Sequence, residues 1–223
     1  MPIRFASVLF SAAVAVALLC PDAAARTQKP LLHGKNWVAI TGKPLAASAG
    51  ARIFYEGGNA VDATCAMLAA TSTMWDVLGW GGETQALIYN PNSGKVIGIN
   101  ALGVAPGGAT AEFFRNQELD YPPEYGPQAA VTPGTPGGLM VMLAEFGTMS
   151  LADVLAPAIE MAEGYPIEAG AVNSIERSRE EILKWSYSQR VFLPNGTAED
   201  PEPVSYTHLR AHETLRSISY AVF

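Results

Sequence analysis

Residues 44–68, PLAASAGARIFYEGGNAVDATCAML, constrain the fold more than any other stretch of this 223-residue chain. An alanine-rich run with Leu45, Ala49, Ile53 and Phe54 at helical spacing stops at Gly57-Gly58. Glycine ends helices because it enters the left-handed region that other residues resist. Asn59 then predicts the N-cap of a second helix, and Asp62 three residues on suits that helix's positive end. One helix must therefore turn onto another through a two-glycine corner. Cys65 falls inside the second helix among Ala and Met, which predicts a buried structural thiol rather than a nucleophile.

Further along, residues 86–89 and 95–100 are two β-rich runs around Asn90-Pro91-Asn92-Ser93-Gly94, the pattern of a hairpin. Gly79-Trp80-Gly81-Gly82 leads into it. A glycine pair lets a ligand approach the backbone and a neighbouring Trp can cover it, so Trp80, Gly81 and Gly82 are candidate pocket-wall residues. The competing reading is a tight turn with Trp80 packed in the core, and for an isolated Gly-rich turn it is the stronger one. Glu83 has no evident partner and reads as solvated. Residues 107–133 are loop-rich, with breakers clustered at 121–127. Helices are expected from Gly134 onward. Ser150 is an N-cap with Asp153 at the third helical position, Gly164 is a stop, and another helix is expected over Glu168 to Trp185.

The N-terminus joins Arg4, an apolar run from Val8 to Leu19 and Ala23-Ala24-Ala25, the plan of a secretory signal over residues 1–25. The run is shorter than the roughly twenty residues a membrane span needs, so export to the periplasm or beyond is expected, with a retained anchor as the weaker alternative. Leu19 before Cys20 does not make a lipoprotein site. Removal of residues 1–25 leaves Cys65 as the only cysteine and no internal disulfide. A net charge of −7 argues against a nucleic-acid partner, which calls for a basic stripe.

Residues 204–223 read differently. VSYTHLRAHET, from Val204, and ISYAVF, from Ile218, both correspond in frame to translated sequencing-adapter DNA, with Leu215-Arg216-Ser217 in the place of a sample index. The tail is therefore expected to be non-native and residues 26–203 to carry the protein. His208 and His212 have the i, i+4 spacing of two ligands on one helical face, but that pattern dissolves with the tail. His33 is then the only histidine and reads as a surface residue. No metal and no cofactor are called for.

As a string, GGNAVDA resembles the opening of gamma-glutamyltranspeptidases, a family of self-cleaving N-terminal-nucleophile hydrolases. The likeness continues through the glycine-rich loop and hairpin, Ala105-Pro106, and Val131-Thr132-Pro133-Gly134-Thr135-Pro136-Gly137-Gly138, which resembles the family's SGTPG turn. Phe146 to Leu151 and Leu155 to Ile159 resemble the helix that follows. About residues 36–195 are covered, in five ordered segments. The resemblance implies an α/β fold, a helix–sheet–sheet–helix (αββα) sandwich of which this chain holds the first part of the large subunit. It also implies a parent enzyme acting on small-molecule γ-glutamyl or other amide substrates. There a threonine freed by self-cleavage attacks the carbonyl while its own α-amino group takes the proton.

That threonine opens the small subunit, beyond Phe223, so this chain is expected to be inactive and to lack its small-subunit partner. Thr132 and Thr135 read as turn residues. Glutamyl-specific members carry an arginine four residues before the proline of their Ala-Pro, and it grips the substrate's α-carboxylate. Leu102 stands at that position here and cannot make a bidentate pair, which puts glutathione in doubt and favours other amides. A secreted, non-catalytic binding module on the same scaffold is the alternative.

Overall fold

The computed structural model describes residues 33–74, 79–165 and 169–193. The signal segment, the 204–223 tail with His208 and His212, and Glu168 lie outside the described residues. The elements below all belong to the compact unit that begins at Asn36.

Helix α1 (Pro44–Tyr55) starts on a proline, whose missing N–H costs nothing in a first turn. It ends where the glycines divide the work of the corner. Gly57 takes a positive φ of 93°, and Gly58 supplies space. A Cβ on Gly58 would lie 2.5 Å from Ile53 Cγ2 and 2.6 Å from Met149 Sδ. The buried stripe of α1 is Ala46, Ala49, Gly50 and Ile53. Leu45, one of the apolar residues at helical spacing, is exposed, and Ala46 takes the inward place. Phe54 is half-buried beneath Trp37, with ring centroids 4.9 Å apart.

Helix α2 (Ala60–Thr71) carries the expected cap in full. Asn59 Oδ1 accepts from Val61 N and Asp62 N at 2.7 and 3.0 Å, while Asp62 Oδ2 accepts from Asn59 N at 2.9 Å. Such a cap contributes about 1 kcal/mol. Ala63, Cys65, Ala66, Ala69 and Ala70 are all buried, so small residues let neighbours close in on several sides of α2. Those neighbours are α1, α4 (Thr135–Phe146) and α5 (Leu151–Glu163), which add Leu139, Met142, Val154, Leu155 and Ala158 to one core.

The sheet is one antiparallel hairpin, β1 (Thr84–Asn90) with β2 (Lys95–Ala101), in the register Thr84↔Ala101, Ile88↔Ile97 and Asn90↔Lys95. Its alternation is that of a one-sided sheet. Ala86, Ile88 and Ile99 pack on the helical core, while Leu87, Tyr89 and Val96 face outward and exposed.

The 107–133 passage holds a short α3 (Ala111–Arg115), capped by Thr110, and a 3-10 turn at Pro127–Ala129. Gly126, with φ 91°, lies directly under the Trp185 indole, where a Cβ could not fit. The single helix expected over 168–185 is instead two: α6 (Ala169–Arg177) and α7 (Arg179–Ile182), followed by α8 (Ser186–Phe192). The break falls at Ser178, a residue type that competes with the helix backbone and favours helix ends. Glu180 and Glu181 then suit the new N-terminus. Val172, Ile175, Ile182 and Leu193 form a small second core there.

Candidate functional site

Three loops that are distant in sequence meet at the start of α4. The Gly82 carbonyl accepts from both Gly134 N and Thr135 N, at 2.9 and 3.1 Å, so the glycine-rich turn is pinned to the first backbone donors of that helix. The turn itself is closed by Gly82 N donating to Gly79 O at 3.0 Å. Behind it, Thr84 Oγ1 donates to Thr135 Oγ1 at 3.0 Å, a buried hydroxyl pair joining β1 to α4.

The end of β2 is held against the same helix start by close backbone contact. A Cβ on Gly134 would strike the Ala101 carbonyl, and one on Gly103 would strike the Thr132 carbonyl. Thr132 N donates to Val104 O at 3.0 Å, and Leu102 N donates to Asn100 Oδ1 at 3.2 Å. Residues 101–104 and 131–134 are thus laced together through glycine. The residues proposed from sequence therefore sit on adjoining loops: Trp80, Gly81 and Gly82 on one, Leu102 on the next. Leu102 is 41 % exposed. Trp80 is half-buried and packs against the main core, in line with the packing alternative for that residue. Glu83 is exposed.

Sequence reasoning left Thr84 unmentioned and assigned Thr135 to a turn. Thr135 begins a helix and is fully buried. The proline after it marks a first helical turn, which is the local signal that could have placed it there. Nothing local signals the Thr84 partner, which lies 51 residues away.

A second polar cluster is built on Asp62, which has no exposed surface. Besides Asn59 N, its carboxylate accepts from Thr148 N at 3.0 Å, Thr148 Oγ1 at 2.7 Å and Met149 N at 3.3 Å. Burial alone would raise this carboxyl's pKa, but the bonds from Thr148, Asn59 and Met149 outweigh it and hold the group below its ordinary value. Cys65, one turn on, is pushed the other way, to about 12, by burial and then by the Asp62 charge. As expected from its surroundings, it is a buried thiol and no nucleophile.

Near this cluster a groove of about 570 Å³ is lined by Asn59–Val61, Ile88–Asn92, Glu145, Phe146 and Thr148. Several of its polar groups are already engaged internally: Asn59 Nδ2 donates to Phe146 O at 2.7 Å, and Asn90 Oδ1 accepts from Asn92 N at 3.0 Å. Among the described residues no three His, Cys, Asp or Glu gather in metal-binding geometry, and His33 is exposed.

Comparison with known proteins places this arrangement. A profile of the gamma-glutamyltranspeptidase family matches residues 46–221. The chain is 32% identical over 188 residues to the acylase ACY 1 proenzyme of Pseudomonas sp. (strain SE83), covering 78% of this chain and 33% of that one. It is likewise 32% identical over 171 residues to the glutathione hydrolase proenzyme of Bacillus subtilis (strain 168), covering 73% and 29%. Among solved structures, Helicobacter pylori gamma-glutamyltranspeptidase superposes with a TM-score of 0.70 at 34% identity, over 75% of this chain and 49% of that one. The chain spans about a third of the length of the curated relatives it matches. Helices layered on an antiparallel sheet are the expected α/β arrangement of an N-terminal-nucleophile hydrolase, and with the profile match they show that the chain belongs to the gamma-glutamyltranspeptidase family.

Proposed function

We propose that this chain is the first part of the large subunit of an exported, self-cleaving amide hydrolase or acyltransferase. In this reading the parent is made as an inactive precursor. Cleavage frees a threonine at the start of a small subunit, and that threonine forms and releases an acyl-enzyme on a small γ-glutamyl or other amide substrate. The chain alone does no chemistry, because the threonine lies in the remaining length. Trp80, Gly81, Gly82 and Leu102 line the substrate side, and nucleic acid and cofactors have no part. Residues 1–25 direct export; no helix among the described residues is long and apolar enough to cross a membrane.

The observation that carries this reading is the convergence at α4. In a chain of this family, the glycine-rich turn, Leu102 and the Thr-Pro-Gly turn are tied into one loop cluster by the Gly82 and Thr132 hydrogen bonds. Leucine at 102, with the likeness to an acylase proenzyme, favours an acylase over a strictly glutamyl-specific enzyme.

The test begins with the coding DNA across codon 203. A frame that continues past Pro203 should yield a precursor that splits into two subunits, with threonine at the new N-terminus and hydrolysis of a chromogenic anilide. The 223-residue chain should show no turnover. A natural stop codon after Phe223 would sink the reading and leave a non-catalytic binding module.

A further inference from the structure

The segment that enters α4, residues 126–135, is a strap held very differently at its two ends. Downstream, three backbone bonds fix it: Thr132 N donates to Val104 O, and Gly134 N and Thr135 N donate to Gly82 O. Upstream, residues 120–125 make no backbone hydrogen bond to another element. The 3-10 turn at Pro127–Ala129 is tied to the chain after α3 by Gln128 Nε2 donating to Gln117 Oε1 at 3.0 Å. That bond is exposed, where water competes for both partners.

What bears on the upstream end is a side chain 59 residues further along. A Cβ on Gly126 would overlap Trp185 Cη2 and lie 2.6 Å from Cζ2, so the indole touches the strap's backbone where only glycine admits it. The indole is itself fastened. Its Nε1 donates to Glu181 Oε1 at 3.2 Å, and Lys184 Nζ holds the other oxygen of that carboxylate at 2.6 Å. Trp185 N also donates to the carbonyl of Ile182, a member of the second core. A large, stiff ring thus joins the 169–193 helices to the first residue of the strap.

We infer that Trp185 is a positioning residue: it latches the upstream end of the 126–135 strap and thereby holds the loop cluster at the start of α4 in place. Without the ring, the turn at 127–129 can swing, and the Thr132, Gly134 and Thr135 bonds open more often. The latch stands on these contacts alone, whereas its consequence for catalysis rests on the substrate side proposed above.

The experiment uses the intact parent polypeptide, with hydrogen exchange by mass spectrometry and anilide kinetics on the same samples. Trp185→Ala should speed exchange of the 130–135 amides about three- to tenfold while leaving those of α2 unchanged, which shows the variant folded. Trp185→Phe keeps a ring over Gly126 and should retain most of the protection. Gly126→Ala drives the indole off from the other side and should reproduce the Trp185→Ala pattern. In the matured enzyme, Trp185→Ala should raise KM about three- to tenfold with kcat per titrated active site within about twofold, and Trp185→Phe should restore KM. General loosening would instead lower the number of active sites and leave KM alone. Unchanged exchange at 130–135 in Trp185→Ala, with faster exchange only in α7 and α8, overturns the latch. Faster exchange at 130–135 with KM unmoved overturns the positioning role and leaves the hydrolase reading standing. A precursor that stays uncut and cleaves no anilide sinks that reading and the catalytic consequence with it, while exchange still decides the latch.

Discussion

Replacing Asp62 by asparagine keeps the outline of the side chain and turns one acceptor end into a donor. The four donors that surround it, Asn59 N, Thr148 N, Thr148 Oγ1 and Met149 N, cannot all be satisfied by an amide. Asp62→Asn should therefore destabilise the chain by about 3 kcal/mol, read from urea unfolding. The same carboxylate sets a pH dependence. Its folded pKa is depressed, so its contribution is fully present above the ordinary value of about 4 and is lost as pH falls through the lower folded value. Stability should fall with acid below about pH 4, and the Asn variant should lose this component of the slope. At the same scale, Gly103→Ala puts a methyl group into the Thr132 carbonyl and should part the two laced segments. Faster proteolysis confined to residues 101–104 and 131–134 would report it, whereas unchanged cutting there would mean the contact is soft.

Among elements, α2 is the one whose inertness can be measured. Cys65 is wholly buried, with its thiol pushed up to about 12, so iodoacetamide at neutral pH should leave it unlabelled in the folded chain and label it in urea. Prompt labelling of the Cys65 peptide without denaturant would mean that α2 is not packed between α1 and α5. The helices and hairpin were the legible part of this sequence, for a local reason. Gly57, Asn59, Ser150, Gly164 and the Asn90–Gly94 turn each act within four residues of the backbone they shape, so their effect can be read from the string. Ser178 acts locally too, but its tendency to end a helix is weak enough for the periodicity on either side to hide it. What stayed illegible is what acts at a distance. Asp62 could be read as a helix cap, not as the acceptor for Thr148. Thr84 and Thr135 gave no hint of each other. Trp80, Gly82 and Leu102 could be nominated singly, whereas the meeting of their loops at the start of α4 depends on chain separations that no motif encodes.

The described residues as a whole are lopsided. One face of the β1–β2 hairpin rests on helices, and the other offers Leu87, Tyr89 and Val96 to solvent, with both strands at an edge. Apolar faces and free edges of this kind favour self-association. The 26–203 segment should elute as a mixture of sizes at micromolar concentration. Adding Leu87→Lys and Val96→Lys should shift it toward monomer without changing its far-UV circular dichroism. A sharp monomer peak for the unaltered segment would show that this face is harmless.

The Asp62 clamp also bears on the order in which the molecule can form. Its partner Thr148 lies 86 residues downstream. At roughly 5–20 residues per second, a ribosome delivers that partner about 4–17 s after the aspartate itself. Throughout that interval α1 and α2 can coil and touch, yet the buried charge at the start of α2 lacks three of its four donors. The first helical pair of this protein must wait, incomplete, for a corner that has not yet been made.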